Sequence, residues 1–302
     1  MTVWLGAPDP SWITGTDTPL FVSHSRLRRL SPAGLPFAPP GHRWALDSGA
    51  YSFVTTLGGF PDSPAAYVAA VARYDSRIGG LAWASIQDMM TEDDALAATG
   101  LTVEAHQLAS VRSYVDCTAL WDQRPRLRPS PFRAALQGKT PEDYIRCARF
   151  YTEHGVDLAA ADIVGLGSIC RRSNTREIAE VVSAVLDAVP DIRLHGYGVK
   201  LAGLKLYGKQ LASIDSMAWS YAAKKQRIKG SRCTQFHATC QNCLEWALEW
   251  HELVSARHDA ARGAGAAVPS PACRPAAGRR IRAAAAARNQ LALFADDAPG
   301  AA

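Results

Sequence analysis

Residues 81–88 read Leu-Ala-Trp-Ala-Ser-Ile-Gln-Asp, a short apolar run that closes on a carboxylate. Such a run reads as a strand, and the stretch that follows it, Asp93–Tyr114, has the amphipathic spacing of a helix. The same unit recurs along the chain. Apolar runs stand at 2–6, 19–23, 43–49, 132–138, 158–167, 192–198 and 213–220. Helix-like stretches lie between them, clearest at Ser63–Tyr74, Thr140–His154, Asn174–Val189 and Leu201–Leu211. Pro141 suits the first turn of a helix capped by Thr140, with Glu142 and Asp143 near its positive end. Eight strands alternating with helices predict an α/β fold, a parallel (β/α)8 TIM barrel. A doubly wound sheet is the competing architecture, but no GxGxxG turn opens the first βα unit, and Gly165-Leu166-Gly167 is too short to serve.

The 302 residues are enough for two domains or for one barrel with an appendage, and 48% of them are hydrophobic, so a large core is expected. No stretch approaches the roughly 20 apolar residues of a membrane span, and no secretion signal opens the chain. Seven Cys are too few and too clustered for a disulfide scaffold. These features predict a cytoplasmic chain. From Ala256 onward nineteen of forty-seven residues are Ala, mixed with Gly, Pro and seven Arg, which predicts a disordered or transiently helical tail. The expected division is a barrel over 1–230, a metal module over 231–254 and the tail over 255–302.

The strands end in polar or small residues: Asp47, Asp88, Gln137, Gly165 to Gly167, Gly196 to Gly198, and Asp215. Barrel chemistry sits at the carboxyl ends of strands, so these groups should converge on one mouth. Singly, Asp47 before Ser-Gly reads equally well as an Asx-type turn, and Asp215 as a helix cap. Together they make a nucleophile plus an acid/base on opposite sides of the mouth.

The densest local signal is Cys-Thr-Gln-Phe-His-Ala-Thr-Cys-Gln-Asn-Cys at 233–243. Thiolate and imidazole donors this close suit tetrahedral Zn2+, and four protein donors suit a structural site. The expected ligands are Cys233, His237, Cys240 and Cys243, with His251 as an alternative to Cys233 or His237. A redox CxxC is the competing reading, but it would start a helix directly after a strand, without a preceding Cys and His. Cys117, Cys147, Cys170 and Cys273 are scattered and carry no such pattern.

These residues also carry a resemblance. Asp-Ser-Gly-Ala-Tyr at 47–51, Leu-Gln-Gly at 136–138, Gly-Leu-Gly at 165–167, Gly-Tyr-Gly-Val at 196–199 and Ile-Asp-Ser at 214–216 stand in the order seen in tRNA-guanine transglycosylases. Those are zinc-carrying barrels that exchange guanine for a 7-deazaguanine. The chain most resembles their DNA-acting branch, the DpdA-type deazapurine-in-DNA transglycosylases, over about residues 1–252. It departs from the tRNA-acting members in having Asp-Ser-Gly-Ala-Tyr-Ser and a compact metal module with its His inside the loop. The resemblance implies that Asp215 is the nucleophile and Asp47 the acid/base. It implies further that Asp88, Gln137, Gly138, Gly165 and Gly167 line the base site, with Tyr51 as one wall.

A nucleic-acid substrate needs phosphate contacts. Arg171 and Arg172 follow the sixth strand, and Lys224, Lys225, Arg227, Lys229 and Arg232 follow the strand that carries Asp215. A solvated charged face is the plain alternative for such a run. In the tail, Gln290-Leu291-Ala292-Leu293-Phe294 resembles the pentapeptide by which bacterial replication and repair proteins dock on the β sliding clamp. The plain alternative there is an accidental apolar island, or a short helix folding back on the barrel. Three functions are thus in play: guanine exchange in DNA with a free 7-deazaguanine base, the same exchange in tRNA, and a non-catalytic zinc-containing DNA-binding protein recruited by the clamp.

Overall fold

The computed structural model describes residues 1–124, 128–170, 172, 175–234 and 237–263, with no side chain described at 201 or from 257 onward. The chain divides into two compact units, Met1–Met217 and Ala218–Ala302.

The first unit carries nine strands: β1 (Thr2–Ala7), β2 (Leu20–Ser23), β3 (Trp44–Asp47), β4 (Leu81–Ser85), β5 (Phe132–Arg133), β6 (Ala135–Leu136), β7 (Val164–Leu166), β8 (Leu194–Gly196) and β9 (Ser213–Ser216). Every pairing is parallel, in the order β5-β4-β3-β2-β1-β9-β8-β7-β6. β5 and β6 are the two halves of the run read as one strand at 132–138. Ala84 donates its amide to Pro131 O at 2.9 Å, and Gly165 donates to Ala134 O at 2.8 Å. The first half therefore bonds to β4, the second bonds to β7, and the chain itself joins the two ends of the sheet. The result is the expected parallel, nearly closed barrel.

Strands covered on both faces should be apolar throughout, and Leu20, Val22, Trp44, Leu46, Ala84, Leu136, Val164, Leu166, Leu194 and Ile214 are wholly buried. Trp4, Phe21, Ala45 and Trp83 pack as one cluster, with Tyr197 against them. Trp4 and Trp83 meet edge to face with ring centres 5.8 Å apart.

The helices follow their capping signals. Ser63 caps Pro64–Ile78 by accepting from the Ala66 amide at 3.3 Å, and the helix buries Tyr67, Val68, Val71, Tyr74 and Ile78 along one face. Each such large apolar side chain stabilises the fold by about 1.5–3 kcal/mol. Thr140 caps Pro141–Glu153 as expected, and Asp143 completes a reciprocal capping box with it. The stretch read as one helix over Asp93–Tyr114 is instead two, Asp93–Thr99 and Val103–Asp122. Gly100, at φ +68°, ends the first in the left-handed conformation, and Thr102 caps the second. Leu201–Leu211 likewise resolves into a helix over Leu201–Tyr207 and a 3-10 turn over Gly208–Gln210.

The second unit holds helices Ala218–Gln226 and Leu244–Gly263, joined by the cysteine-rich segment. Trp246 Nε1 donates to the Trp219 carbonyl at 3.1 Å, tying the helices together. The second helix continues past Val254, into residues that the sequence assigns to the tail. No helix among the described residues is long and apolar enough to cross a membrane.

Candidate active site and metal cluster

Register fixes which side chains share the barrel mouth. Asp47 closes β3 beside Ser23 of β2. On β9, Asp215 lies beside Trp4 of β1, and Ser213 lies beside His195 of β8. β1 and β2 stand between the strands of the two acids, so Asp47 and Asp215 face each other across part of the mouth rather than across its full diameter.

Asp215 is buried, with 7% of its surface exposed. Its Oδ1 accepts from the Gly198 amide at 3.0 Å and from His195 Nε2 at 3.3 Å. Among the described residues no other side-chain hydrogen bond reaches this carboxylate, so Oδ2 has no side-chain partner among them. Asp47 keeps partial access to solvent. Desolvation raises its carboxyl to about 6, the Asp215 charge adds to that, and the Ser23 hydroxyl and Gly49 amide oppose it. One acid is held in place by donors and the other is raised towards neutrality. Pairs of acids whose surroundings differ in this way can divide acid–base work between them.

Asp88 and Gln137 meet directly. Asp88 Oδ1 accepts from Ser48 Oγ at 3.2 Å, and Oδ2 accepts from Gln137 Nε2 at 2.6 Å. Desolvation, followed by the Asp47 charge, raises the Asp88 carboxyl to about 7, against the pull of the Ser48 hydroxyl. Ser168 Oγ donates to Gln137 Oε1 at 2.6 Å and accepts from the Thr91 amide at 2.7 Å. This chain of bonds fixes which end of the Gln137 amide faces Asp88. Ser168 holds a left-handed φ of 55° to do so, a strained backbone of the kind found at functional sites.

The glycines have steric reasons. A Cβ on Gly167 would collide with the Gln137 amide, and one on Gly165 would collide with the Tyr197 ring. Gly138 abuts Asp143 and Tyr144 at 2.8–2.9 Å from where its Cβ would be, so it serves the helix cap. Tyr51 sits on helix Ala50–Leu57, is 36% exposed, and donates its hydroxyl to Asp94 Oδ2 at 2.6 Å. Ser48, Ser85, Thr91, Ser168, His195 and Tyr197 complete the site; Ser48 and Tyr197 lie in the Asp-Ser-Gly-Ala-Tyr and Gly-Tyr-Gly-Val motifs, while Ser85, Thr91, Ser168 and His195 do not stand out in the sequence.

In the second unit Cys233, His237, Cys240 and Cys243 place their ligand atoms within 4.8 Å of one another. His237 Nε2 is 3.2 Å from both Cys233 Sγ and Cys240 Sγ, and the Cys233 and Cys243 sulfurs are 3.6 Å apart. A tetrahedral metal with sulfur at about 2.3 Å sets its ligands roughly 3.8 Å apart, so the cluster fits an ion with little adjustment. The Gly230 amide donates to Cys240 Sγ at 3.1 Å, an outer contact of the kind that steadies thiolate ligands. His251 lies on the following helix, outside this four-donor group.

Of the basic residues, Lys224, Lys225, Arg227 and Lys229 are exposed. Lys224 and Lys225 also occupy the last turn of their helix, where cations offset its dipole. Arg172 pairs with Glu177 at 3.0 Å and Arg232 with Glu252 at 2.8 Å, so these two charges are engaged within the chain. Arg171 and the segment Gln290, Leu291, Leu293 and Phe294 lie outside the described residues.

A parallel barrel with two acids at its strand ends, joined in one chain to a Cys3His cluster, defines a narrow class of protein. The chain belongs to the DpdA family (DeoxyPurine in DNA protein A), whose pattern matches residues 1–294. That family lies in the tRNA-guanine transglycosylase superfamily, so membership points to a transglycosylase and to DNA. No curated protein matches the sequence. Among solved structures, 2,3-dimethylmalate lyase, a PEP mutase/isocitrate lyase superfamily member, aligns at 14% identity with a TM-score of 0.42, over 86% of this chain and 93% of that one. A likeness that distant says nothing of the chemistry.

Proposed function

We propose that this chain exchanges guanine in DNA for a free 7-deazaguanine base through a covalent glycosyl-enzyme. The observation that carries the reading is the acid pair: Asp215 with one oxygen restrained and one open, and Asp47 raised to about 6. Asp215 Oδ2 attacks C1′ of the target nucleotide. The C1′–N9 bond breaks, its electron pair leaves with guanine, and Asp47 supplies the proton. The incoming 7-deazaguanine then loses its N9 proton to Asp47, attacks C1′ and releases the Asp215 carboxylate. A general acid that must also act as base works best with its pKa near ambient pH, which suits Asp47. Asp88 and Gln137 read the guanine-type edge, while Gly165 and Gly167 make room for the Tyr197 ring and the Gln137 amide at the site. The target base must leave the duplex stack to reach them. Exposed Lys224, Lys225, Arg227 and Lys229 contact phosphates.

Cys233, His237, Cys240 and Cys243 would hold Zn2+, which supplies a structural cross-link and no step of the exchange. Radiolabelled guanine should enter duplex DNA but not tRNA when each is incubated with the purified chain. Entry into tRNA alone would favour the tRNA reading. No entry into either, with DNA still bound, would favour a non-catalytic DNA-binding protein, a role that retaining both Asp47 and Asp215 does not require.

The family match extends to residue 294, the last of the Gln-Leu-Ala-Leu-Phe segment. Docking on the β sliding clamp through that segment would hold the barrel near DNA, because tethering raises local concentration to about the millimolar range. Leu293→Ala with Phe294→Ala should end clamp capture and leave exchange on short naked duplexes unchanged. Undiminished capture by the double variant would remove the clamp from the account.

A further inference from the structure

Parallel register puts three polar side chains in line inside the barrel. Ser213 and Asp215 are two residues apart on β9, so both side chains point to the same face. His195 lies directly beside Ser213 on β8. Its Nδ1 is 2.7 Å from Ser213 Oγ and its Nε2 is 3.3 Å from Asp215 Oδ1. The imidazole is fully buried and has no freedom to turn away. Trp83, Tyr197 and Phe21 box it in, at ring-centre distances of 4.8, 4.9 and 5.8 Å. Tyr197 is itself pinned by a 3.0 Å hydrogen bond between its hydroxyl and Ser85 Oγ.

The neutral ring has two tautomers, and only one suits this line. With the proton on Nδ1, a lone pair on Nε2 would face the Asp215 carboxylate. With Ser213 donating its hydroxyl proton to Nδ1, Nε2 carries the hydrogen and donates to Asp215. We infer that His195 is a positioning residue that aims the attacking oxygen of Asp215, and that Ser213 selects the tautomer His195 needs for it. Together with the Gly198 amide, His195 occupies Oδ1 from the β8 side and turns Oδ2 towards the mouth. The inference rests on Asp215 being the nucleophile.

The test uses the full metal-loaded chain and random-sequence duplex DNA, following the denaturation-resistant adduct in a single turnover. His195→Phe keeps a ring for the aromatic box and removes both nitrogens. It should slow adduct formation by about 10²-fold, the scale of a misplaced reacting group, while the DNA concentration for half-saturation stays put. His195→Gln restores an N–H donor and should recover most of the rate. Ser213→Ala should be slow and Ser213→Thr near wild type, and this pair decides the matter if His195→Phe does not fold. A His195→Phe chain as fast as wild type, or Phe and Gln variants equally slow, overturns the positioning role while leaving the nucleophile in place. An adduct that maps to a residue other than Asp215 overturns both.

Discussion

Asp215→Asn should form no denaturation-resistant adduct with DNA and should exchange no base, a loss of at least about 10⁴-fold, because an amide cannot open the covalent path. The side chain keeps its shape, and its amide oxygen can still accept from Gly198 and His195, so the barrel should fold. Asp47→Asn tests the other half of the pair. It removes proton transfer, an effect typically worth about 10² to 10⁴-fold. Its stability should move the opposite way from its activity. The Asp47 carboxyl is raised from 3.8 to about 6 in the folded chain, so folding holds this proton more tightly than the unfolded chain does. The folded state is therefore penalised as pH rises from about 4 to 6, and the penalty is complete above that window. Asn carries no charge and escapes it. At pH 8 Asp47→Asn should melt higher than wild type, by up to about 3 kcal/mol in free energy. Loss of exchange together with a raised melting temperature identifies a catalytic acid. Loss of exchange together with a lowered one would mark Asp47 as the turn-forming Asp that its Ser-Gly neighbours also suggest. Full exchange by Asp215→Asn would sink the mechanism.

Much of this site was legible because barrel strands end where their apolar runs end. The runs closing on Asp47, Asp88, Gln137 and Asp215 needed no distance information to be placed at a common mouth. What the sequence could not show was how these groups are held. Ser48, Ser85, Thr91 and Ser168 are ordinary residues on different strands and loops, and their hydrogen bonds span up to 112 positions. No local spacing encodes a contact of that range. His195 is hidden for another reason: a lone His on a buried strand reads as core until its register with Ser213 is known. Gly100 shows the reverse failure. It was visible within the Asp93–Tyr114 pattern, but a single Gly is tolerated in a helix, and only its positive φ makes it an end. The Cys3His set was readable because a metal loop is local, with all its donors inside eleven residues.

That locality gives the metal the second large effect. Among the described residues, the segment between helices Ala218–Gln226 and Leu244–Gly263 contains neither helix nor strand. A few contacts organise it: Cys240 N to Ile228 O at 2.9 Å, Cys243 N to Cys240 O at 3.2 Å, and Ser231 N to Glu249 at 3.0 Å. Each such hydrogen bond contributes only about 0.5–1.5 kcal/mol net. A structural zinc contributes an apparent 10–16 kcal/mol in comparable small modules, far more than any one of these contacts. Without the ion, three thiols and an imidazole are held together only by weak sulfur contacts, which offset little of the entropy of ordering them. Purified protein should therefore carry one equivalent of zinc. Cys243→Ser, or removal of the ion by a strong chelator, should abolish binding and expose residues 227–243 to proteolysis. Cys170→Ser, which lies outside the cluster, should retain the full equivalent. Metal-free protein that resists proteolysis in this segment as wild type does would show that the four donors are packed for some reason other than a metal.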